Sequence, residues 1–206
     1  MLDHSSQVQR HPLRARGDDC YETPVVAVRA LLRAEPLLQR PRNIWEPACG
    51  RHGNIVNPLR AAGHKVIATD LVDFGIPITA PAYYRVDFLM EYKLPASVDL
   101  IVTNPTFKLA EQFVDRAIAL CPKVIMLLRL AFFEAGTGKQ KKHRLRARVL
   151  DEIPPARIHV FRRRLPMMHR AGWEGRKANS GMAFAWFVWD RAHTGPTTIE
   201  RISWER

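Results

Sequence analysis

Four residues near the middle of the chain, Asn104-Pro105-Thr106-Phe107, have the types and spacing of a pocket for a planar amino group. They follow the apolar run 98–102, which predicts a buried strand. The asparagine side-chain oxygen and a backbone carbonyl can accept the two N–H groups of the amine, and the aromatic ring can stack on its face. Because Asn-Pro is also an ordinary turn dipeptide, the tetrapeptide indicates this chemistry only together with other segments.

A turn from Glu46 to Asn54 is the candidate cofactor segment, and it contains Gly50 and Gly53. Glycine lets the backbone approach a ligand closely. The dinucleotide fingerprint requires a third glycine, and a carboxylate at the start of the turn would repel a phosphate. Asp70, further along, is suited to accept hydrogen bonds from ribose hydroxyls. A ligand with a ribose, a cationic end and no phosphate is S-adenosylmethionine. The alternative is a glycine-rich turn of purely structural use.

Hydrophobic periodicity predicts strands that alternate with helices along most of the chain. Helices are predicted from Thr23-Pro24 to Pro36, around Pro58, and over residues 107–120. The predicted strands cover residues 43–46, 65–70, 84–87, 98–103, 123–128, 156–161, 182–189 and 198–204. This alternation favours an α/β fold, a Rossmann-like doubly wound and mostly parallel sheet with an antiparallel C-terminal hairpin.

Polar residues stand at the predicted carboxyl ends of four successive strands: Glu46, Asp70, Asp87 and Asn104. In open α/β sheets, ligands bind outside the carboxyl ends of the strands. Four such residues in a row therefore predict a binding site at this edge.

Composition limits the class of protein. The 206 residues are 47% hydrophobic and 25% charged, which suits one well-cored domain over residues 20–206 behind a polar, flexible tail, residues 1–19. We find no signal peptide and no apolar stretch of the roughly 18 residues that a membrane span needs. Three distant cysteines, Cys20, Cys49 and Cys121, favour neither disulfides nor a metal site, and a reducing cytoplasm is expected.

The net charge of +12 is concentrated in two basic segments, residues 134–150 and 162–180. Such segments neutralise phosphates and favour a nucleic-acid partner, although a solvated basic surface is the alternative. The second segment is also too long to be a simple connection. The candidate nucleic-acid-binding residues are Lys139, Lys141, Lys142, Arg144, Arg162, Arg163, Arg164, Arg170, Arg176 and Lys177.

Three motifs, in this order, carry a family resemblance. The first, Tyr21-Glu22-Thr23-Pro24, resembles a segment that packs over the methionine end of the cofactor. The second, Trp45-Glu46-Pro47-Ala48-Cys49-Gly50, resembles a cofactor motif. The third, Asn104-Pro105-Thr106-Phe107, resembles a catalytic Asn-Pro-Pro-Phe/Tyr. The chain thus resembles the S-adenosylmethionine-dependent amino-methyltransferases of nucleic-acid bases, especially small DNA adenine-N6 enzymes of phage and prophage type. The resemblance implies the class I methyltransferase fold.

The resemblance also implies residue roles. Glu46 would lie near the cofactor ammonium, Asp70 would hold the ribose, and Asn104 with the Pro105 carbonyl would accept the target amino hydrogens. Phe107 would stack on a base flipped out of the helix. The implied cofactor-binding residues are Tyr21, Thr23, Pro24, Glu46, Pro47, Ala48, Cys49, Gly50, Asp70, Leu71, Asp87 and Phe88, and the implied catalytic residues are Asn104, Pro105, Thr106 and Phe107.

Several of these residues have a second interpretation. Tyr21 could belong to the tail, Asp70 and Asp87 could be surface carboxylates, and Phe88 could belong to the core. His52 is interpreted as a polar loop residue.

The expected function is methyl transfer to adenine N6 in DNA. Cytosine N4 or RNA adenine could serve in the same pocket, and a protein glutamine is chemically possible. Two departures from the family pattern, Thr106 in place of a second proline and His52 ahead of Gly53, leave open a non-catalytic nucleic-acid-binding module. A nicotinamide-dependent oxidoreductase is a more distant alternative because the third glycine is missing.

Overall fold

A computed structural model describes residues 22–74, 82–134, 144–167 and 181–205, and for residues 82–84 it describes the backbone alone. Strands and helices alternate along these residues. The strands are β1 (Asn43–Glu46), β2 (Lys65–Asp70), β3 (Ala82–Tyr84), β4 (Leu100–Thr103), β5 (Lys123–Arg129), β6 (Arg157–Phe161), β7 (Phe184–Asp190) and β8 (Thr198–Ile202). The α-helices are α1 (Val25–Ala34), α2 (Val56–Ala61), α3 (Ala110–Leu120) and α4 (Arg144–Ala147). Short 3₁₀ turns cover Pro36–Leu38, Phe88–Met90, Phe107–Leu109 and Leu130–Phe133, and a π-helical turn covers Arg148–Glu152.

The strands form one eight-stranded sheet in the order β3-β2-β1-β4-β5-β7-β6-β8. All pairings are parallel except those of β7, which runs antiparallel to both β5 and β6. The chain runs outward from β1 to β3 and then returns to the other side of β1 at β4. This reversal creates a crevice at the carboxyl ends of β1 and β4, where ligands bind in such sheets. The predicted fold class is confirmed, including the antiparallel pairing of C-terminal strands.

Both faces of the sheet are covered because alternate side chains of each strand enter different cores. Ile125 and Leu127 of β5 pack with α1 and α2 on one face. Val124, Met126 and Leu128 pack with α3 on the other. Near-continuous apolar strands are therefore the consequence of burial on two sides.

Indole hydrogen bonds fix the layers to one another. Trp186 Nε1 donates to the Ala27 carbonyl of α1 at 3.1 Å, and Trp189 Nε1 donates to the Val149 carbonyl at 3.0 Å. Each buried tryptophan of β7 thus satisfies its N–H against the helical layer that covers its own face of the sheet.

The predicted strands 98–103, 182–189 and 198–204 begin or end up to two residues away from β4, β7 and β8, and the third predicted strand was wrong over most of its length. The sequence predicted a strand over residues 84–87, but β3 ends at Tyr84 because Arg85 has a φ of +63°, a left-handed conformation that turns the chain. Asp87 therefore does not end a strand. It begins the 3₁₀ turn Phe88–Met90, where its side chain accepts a hydrogen bond from the Leu89 amide at 3.0 Å.

Some predictions concern residues that the structure does not describe, including the tail, residues 1–19, and much of both basic segments. Within the described ranges, we find no helix of sufficient length and apolarity to cross a bilayer.

Candidate active site

A cavity of about 360 Å³ lies at the carboxyl edge of the sheet, where the segments after β1, β2 and β4 meet. This volume is within the range of small-molecule sites. Its walls come from residues 22–23, 47–50, 52–55, 70–72, 74, 86–89, 104–107, 109 and 113. The candidate cofactor turn and the candidate catalytic tetrapeptide thus face one space.

The turn after β1 is shaped by a glycine. Gly50 has a φ of +64°, which glycine adopts without strain, and a Cβ built there would meet nothing within 4 Å. The backbone is therefore open to the cavity at this point. Pro47, Ala48 and Cys49 line the cavity beside it, as the sequence predicted for a cofactor turn.

Asp70 joins the ends of β1 and β2. Its Oδ2 accepts the Gly50 amide and its Oδ1 accepts the Val72 amide, both at 2.9 Å. Burial raises the pKa of Asp70, although these amides and that of Leu71 favour the ionised form. The three amides use three of the roughly four acceptor sites of the carboxylate, so one site is left to accept a hydrogen bond from a diol in the cavity. Leu71 lines the same wall and is 60% exposed.

Glu46 lies beneath the cavity and does not line it. Its side chain is fully buried, and its Oε1 accepts hydrogen bonds from the Ala48 amide at 3.0 Å and from the Thr103 hydroxyl. These two bonds join the end of β1 to the end of β4, so Glu46 fixes the cofactor turn relative to the catalytic turn. A direct contact with a cofactor ammonium stays a prediction.

We expect the wild-type protein to lose stability as the pH rises because of Glu46, and we expect Glu46→Gln not to show this loss. Burial raises the pKa of Glu46 to about 8 from 4.5, so the folded protein retains a proton that the unfolded chain releases. The free energy of unfolding therefore falls as the pH rises from about 4.5 to about 8 and levels off above. Glutamine keeps the shape without titrating. Urea denaturation of both proteins at about pH 5, 7 and 9 measures the difference. If the free energies of unfolding of the two proteins change in parallel with pH, the raised pKa of Glu46 is contradicted.

The candidate catalytic tetrapeptide continues β4 into the cavity wall. Asn104 is half-buried, Pro105 is buried, and both line the cavity together with Thr106 and Phe107. Phe107 is half-buried and begins the 3₁₀ turn ahead of α3. Its ring centroid lies 5.5 Å from that of Phe184 and 4.1 Å from the guanidinium carbon of Arg129.

Thr106→Pro is expected to be tolerated. Thr106 is exposed, with φ −58° and ψ 137°, which is within the range that proline fixes. The departure from the Asn-Pro-Pro pattern therefore leaves the turn in a proline-compatible shape. Proline should add about 0.4–1 kcal/mol of stability by restricting the unfolded chain. Thermal unfolding measures this gain, and a loss of more than about 1 kcal/mol would show that the turn depends on threonine.

Phe88 belongs to the core and also borders the cavity, and its contact with a cofactor stays a prediction. It is 2% exposed, with ring centroids 5.2 Å from Trp45 and 4.9 Å from Phe113, so it belongs to the core. The same ring also lines the cavity. Asp87 beside it is exposed and lines the cavity as well.

The segment ahead of α1 packs against the cofactor turn. Thr23 is buried and lines the cavity, whereas Pro24 stands outside it as the N-cap of α1. Glu22 Oε1 is in hydrogen-bond contact with His52 Nδ1, and Glu22 Oε2 accepts a hydrogen bond from Asn54 Nδ2 at 3.4 Å. His52 is a polar loop residue, but it has a definite partner across the rim of the cavity. Tyr21 lies outside the described residues.

Sequence reasoning missed part of the cavity wall. Glu22, His52, Gly53 and Asn54 lie within the two segments Tyr21–Pro24 and Glu46–Asn54 but were not identified as site residues, and Phe113 was identified only as part of an apolar helix face. Spacing along the chain gave no signal for the remaining lining residues, which approach through the fold. The missed lining residues are Glu22, His52, Gly53, Asn54, Ile55, Val72, Phe74, Val86, Leu89, Leu109 and Phe113.

Arg162, Arg163 and Arg164 directly follow β6, which is parallel to β4, so they leave the sheet at the same edge as the catalytic turn. Arg163 pairs with Glu205 at 2.7 Å between exposed side chains, and Arg164 donates to the Gly181 carbonyl. Such an exposed pair adds little stability, and the binding of phosphates by these arginines stays a prediction.

Two arginines of the first basic segment, residues 134–150, form ion pairs with a neighbouring helix. Arg144 is exposed at the start of α4. Arg146 pairs with Glu111 at 2.5 Å, and Arg148 pairs with Asp115, both on α3. These two pairs hold α4 against α3. The predicted nucleic-acid residues Lys139, Lys141, Lys142, Arg170, Arg176 and Lys177 lie outside the described residues.

Comparison with known proteins identifies the fold. No protein-family model matches the chain, and no curated protein sequence matches it. Among solved structures, 23S rRNA methyltransferase ErmE superposes with a TM-score of 0.53 at 16% identity, over 84% of this chain and 70% of that one. The chain has a methyltransferase fold.

Larger DNA-modification proteins share this methyltransferase fold. A methyltransferase subunit of a type I restriction-modification system from Streptococcus thermophilus superposes with a TM-score of 0.54 at 13% identity, and the type IIG restriction endonuclease BpuSI with 0.56 at 16%. These matches cover 84% and 88% of this chain but only 45% and 27% of those proteins. At such identities the likeness concerns the fold, and substrate must be argued from the site.

Proposed function

We propose that the protein is an S-adenosylmethionine-dependent methyltransferase that acts on the exocyclic amino group of a nucleic-acid base, with adenine N6 in DNA as the preferred acceptor. One observation carries this proposal. The glycine turn, Asp70 and the tetrapeptide Asn104–Phe107 line a single cavity at the switch point of a methyltransferase fold.

The cavity fits the proposed cofactor. Asp70 offers a carboxylate oxygen to the ribose hydroxyls, and the open backbone at Gly50 leaves space for the methionine end. Thr23 and the adjoining Glu22–His52 pair cover the turn from the other side. S-adenosylmethionine, when bound, supplies an electrophilic methyl group on a sulfonium. Water exclusion by these walls would strengthen every polar contact inside.

Asn104 and Pro105 would orient the acceptor. The Asn104 oxygen and the Pro105 carbonyl can each accept one hydrogen of a planar amine, which directs the nitrogen lone pair out of the base plane. Catalysis then rests on alignment and on stabilisation of the charge that develops at nitrogen. A base stacked within a duplex cannot reach a cavity wall of this kind, so the acceptor must be flipped out or single-stranded.

The charge of the chain supports a nucleic-acid acceptor over a protein side chain. The net charge is +12, and Arg162, Arg163 and Arg164 lie along the edge of the sheet that carries the cavity. Lysines and arginines in such a position neutralise phosphates and give salt-dependent binding. The same arrangement serves DNA and RNA, so the preference for DNA rests on the motif resemblance.

The test is product analysis. The full chain is incubated with methyl-labelled S-adenosylmethionine and, separately, duplex DNA, single-stranded DNA and RNA, and the digested nucleosides are separated. We expect label in N6-methyladenine from DNA. Label in N4-methylcytosine or in RNA would show that the proposed acceptor is wrong, whereas the proposed reaction, methyl transfer to an exocyclic amine, would stand. If no label is transferred and calorimetry detects no cofactor binding, a non-catalytic nucleic-acid-binding protein is the better description.

A further inference from the structure

A cation stands directly beside the catalytic turn. Arg129 is the last residue of β5, the strand next to β4, and the register Thr103↔Met126 places the end of β5 beside the turn that follows β4. Its guanidinium carbon lies 4.1 Å from the ring centroid of Phe107. Sequence analysis did not identify this arginine, because a basic residue ending an apolar strand is ordinary.

Arg129 has no counter-charge within the described part of the chain. No carboxylate there lies within 4.0 Å of its guanidinium, and its buried Nε finds no hydrogen-bond acceptor. Two other half-buried arginines differ: Arg157 pairs with Glu35 at 2.8 Å, and Arg42 pairs with Asp99 at 3.3 Å. A half-buried cation without an anion is costly to maintain, and the aromatic face compensates for only part of this cost.

The geometry leaves the edge of the guanidinium available to an anion. The cation–π contact with Phe107 depends on the charge of the guanidinium and uses none of its N–H groups in a hydrogen bond to an oxygen, so the same arginine can also donate to a phosphate. The Nη groups of Arg129 form no hydrogen bond with any residue in the ranges described. Further along the same edge of the sheet, Arg162 to Arg164 could contact neighbouring phosphates.

We propose that Arg129 binds a backbone phosphate next to the target nucleotide and at the same time holds the ring of Phe107 in place. The proposal rests on the proposed function for the nature of the acceptor. Rotation of a nucleotide out of the stack brings its flanking phosphates to the mouth of the pocket. Arg129 would anchor one of them and so couple the position of the backbone to the orientation of the catalytic aromatic ring.

Arg129→Met tests the phosphate contact, because methionine keeps much of the length and apolar packing but removes the charge. Binding to a fluorescent duplex is measured by anisotropy across a range of salt concentrations. The slope of log K against log salt should become shallower by about 0.9, or by about 0.7 for a single-stranded acceptor. KM for the nucleic acid should rise, while the affinity for S-adenosylmethionine should be unchanged.

Two further variants sharpen the test. Arg129→Lys keeps the charge but not the flat face, so the salt slope should remain and kcat should fall. Arg40→Met is the matched control, because Arg40 is exposed just ahead of β1 at the opposite edge of the sheet. It should leave the slope and KM at the wild-type values. If Arg129→Met does not fold, Arg129→Gln serves for the same measurement.

The outcomes separate this inference from the proposed function. An unchanged slope in a folded Arg129→Met that still methylates would overturn the phosphate site and leave the function standing. A shallower slope in a protein that binds nucleic acid without methylating it would support the site and reject the enzyme. A wild-type chain that binds no nucleic acid would reject both.

Discussion

Replacing Asn104 with alanine should lower the rate of methyl transfer about 10²–10³-fold, the loss typical of one preorganised polar group at a reacting centre. Asn104 is half-buried at the end of β4 and lines the cavity opposite the cofactor turn. Without its oxygen, the acceptor amine keeps only the Pro105 carbonyl and can rotate away from the productive orientation. The effect should fall on kcat, since the hydrogen bond between Gly50 and Asp70, the residues proposed to contact the cofactor, is untouched.

Single-turnover assays with the preferred nucleic acid measure the loss, and calorimetry with S-adenosylmethionine gives the control. Asn104→Asp keeps an acceptor oxygen in nearly the same volume and should retain more activity than alanine. If Asn104→Ala binds the cofactor and transfers methyl groups at the wild-type rate, the amino-group pocket is not where the structure suggests.

Replacing Glu35 with alanine should cost about 3–5 kcal/mol of stability, because it removes the buried carboxylate that Arg157 and His159 both contact and leaves Arg157 only the more distant Asp190 carboxylate at 3.9 Å. Glu35 is fully buried at the end of α1. Its Oε1 accepts from Arg157 Nη2 at 2.8 Å and from the Leu37 amide at 2.9 Å, and its Oε2 accepts from Arg157 Nε at 3.0 Å. His159 Nε2 lies 2.8 Å from the same Oε2. The carboxylate thus joins α1 to β6, far along the chain.

Acid should weaken this junction. Burial alone would raise the pKa of Glu35, but hydrogen bonds from His159, Arg157 and Leu37 together lower it below 4.5. The folded-state pKa is then below the unfolded value, so the contribution to stability is complete above about pH 4.5 and is lost as the pH falls through the folded pKa.

Urea denaturation of wild type and Glu35→Ala at about pH 7 and pH 4 measures the cost of the substitution and its pH dependence. The difference in the free energy of unfolding between the two proteins should be smaller at about pH 4 than at about pH 7. Glu200 provides the matched control. Its Oε2 lies 3.3 Å from His159 Nδ1 without hydrogen-bonding geometry, and its side chain is 62% exposed. Glu200→Ala should therefore cost less than about 1 kcal/mol. If Glu35→Ala and Glu200→Ala lose the same free energy of unfolding, the claim that the buried Glu35 carboxylate stabilises the contact between α1 and β6 is contradicted.

Much of the fold was predictable from the sequence because local signals agreed with the tertiary structure. The strands at residues 43–46 and 65–70 were predicted with their observed bounds, since each is an apolar run ended by a carboxylate. The third strand was not, because its end depends on the left-handed φ of Arg85, which no hydrophobic period reveals. The helix predicted from Phe107 begins with a 3₁₀ turn, since the tetrapeptide must first leave the sheet.

The candidate site divides in the same way. The sequence by itself determined the chemistry-bearing turns, since glycine, Asn-Pro and a strand-end carboxylate have strong local preferences. Only the tertiary structure decided that Glu46 lies under the cavity, that Glu22 pairs with His52, and that Arg129 stacks on Phe107. These contacts join residues distant in sequence, and the packing of strands and loops sets their distances. A linear pattern gives the type of each residue, and the fold alone gives its partner.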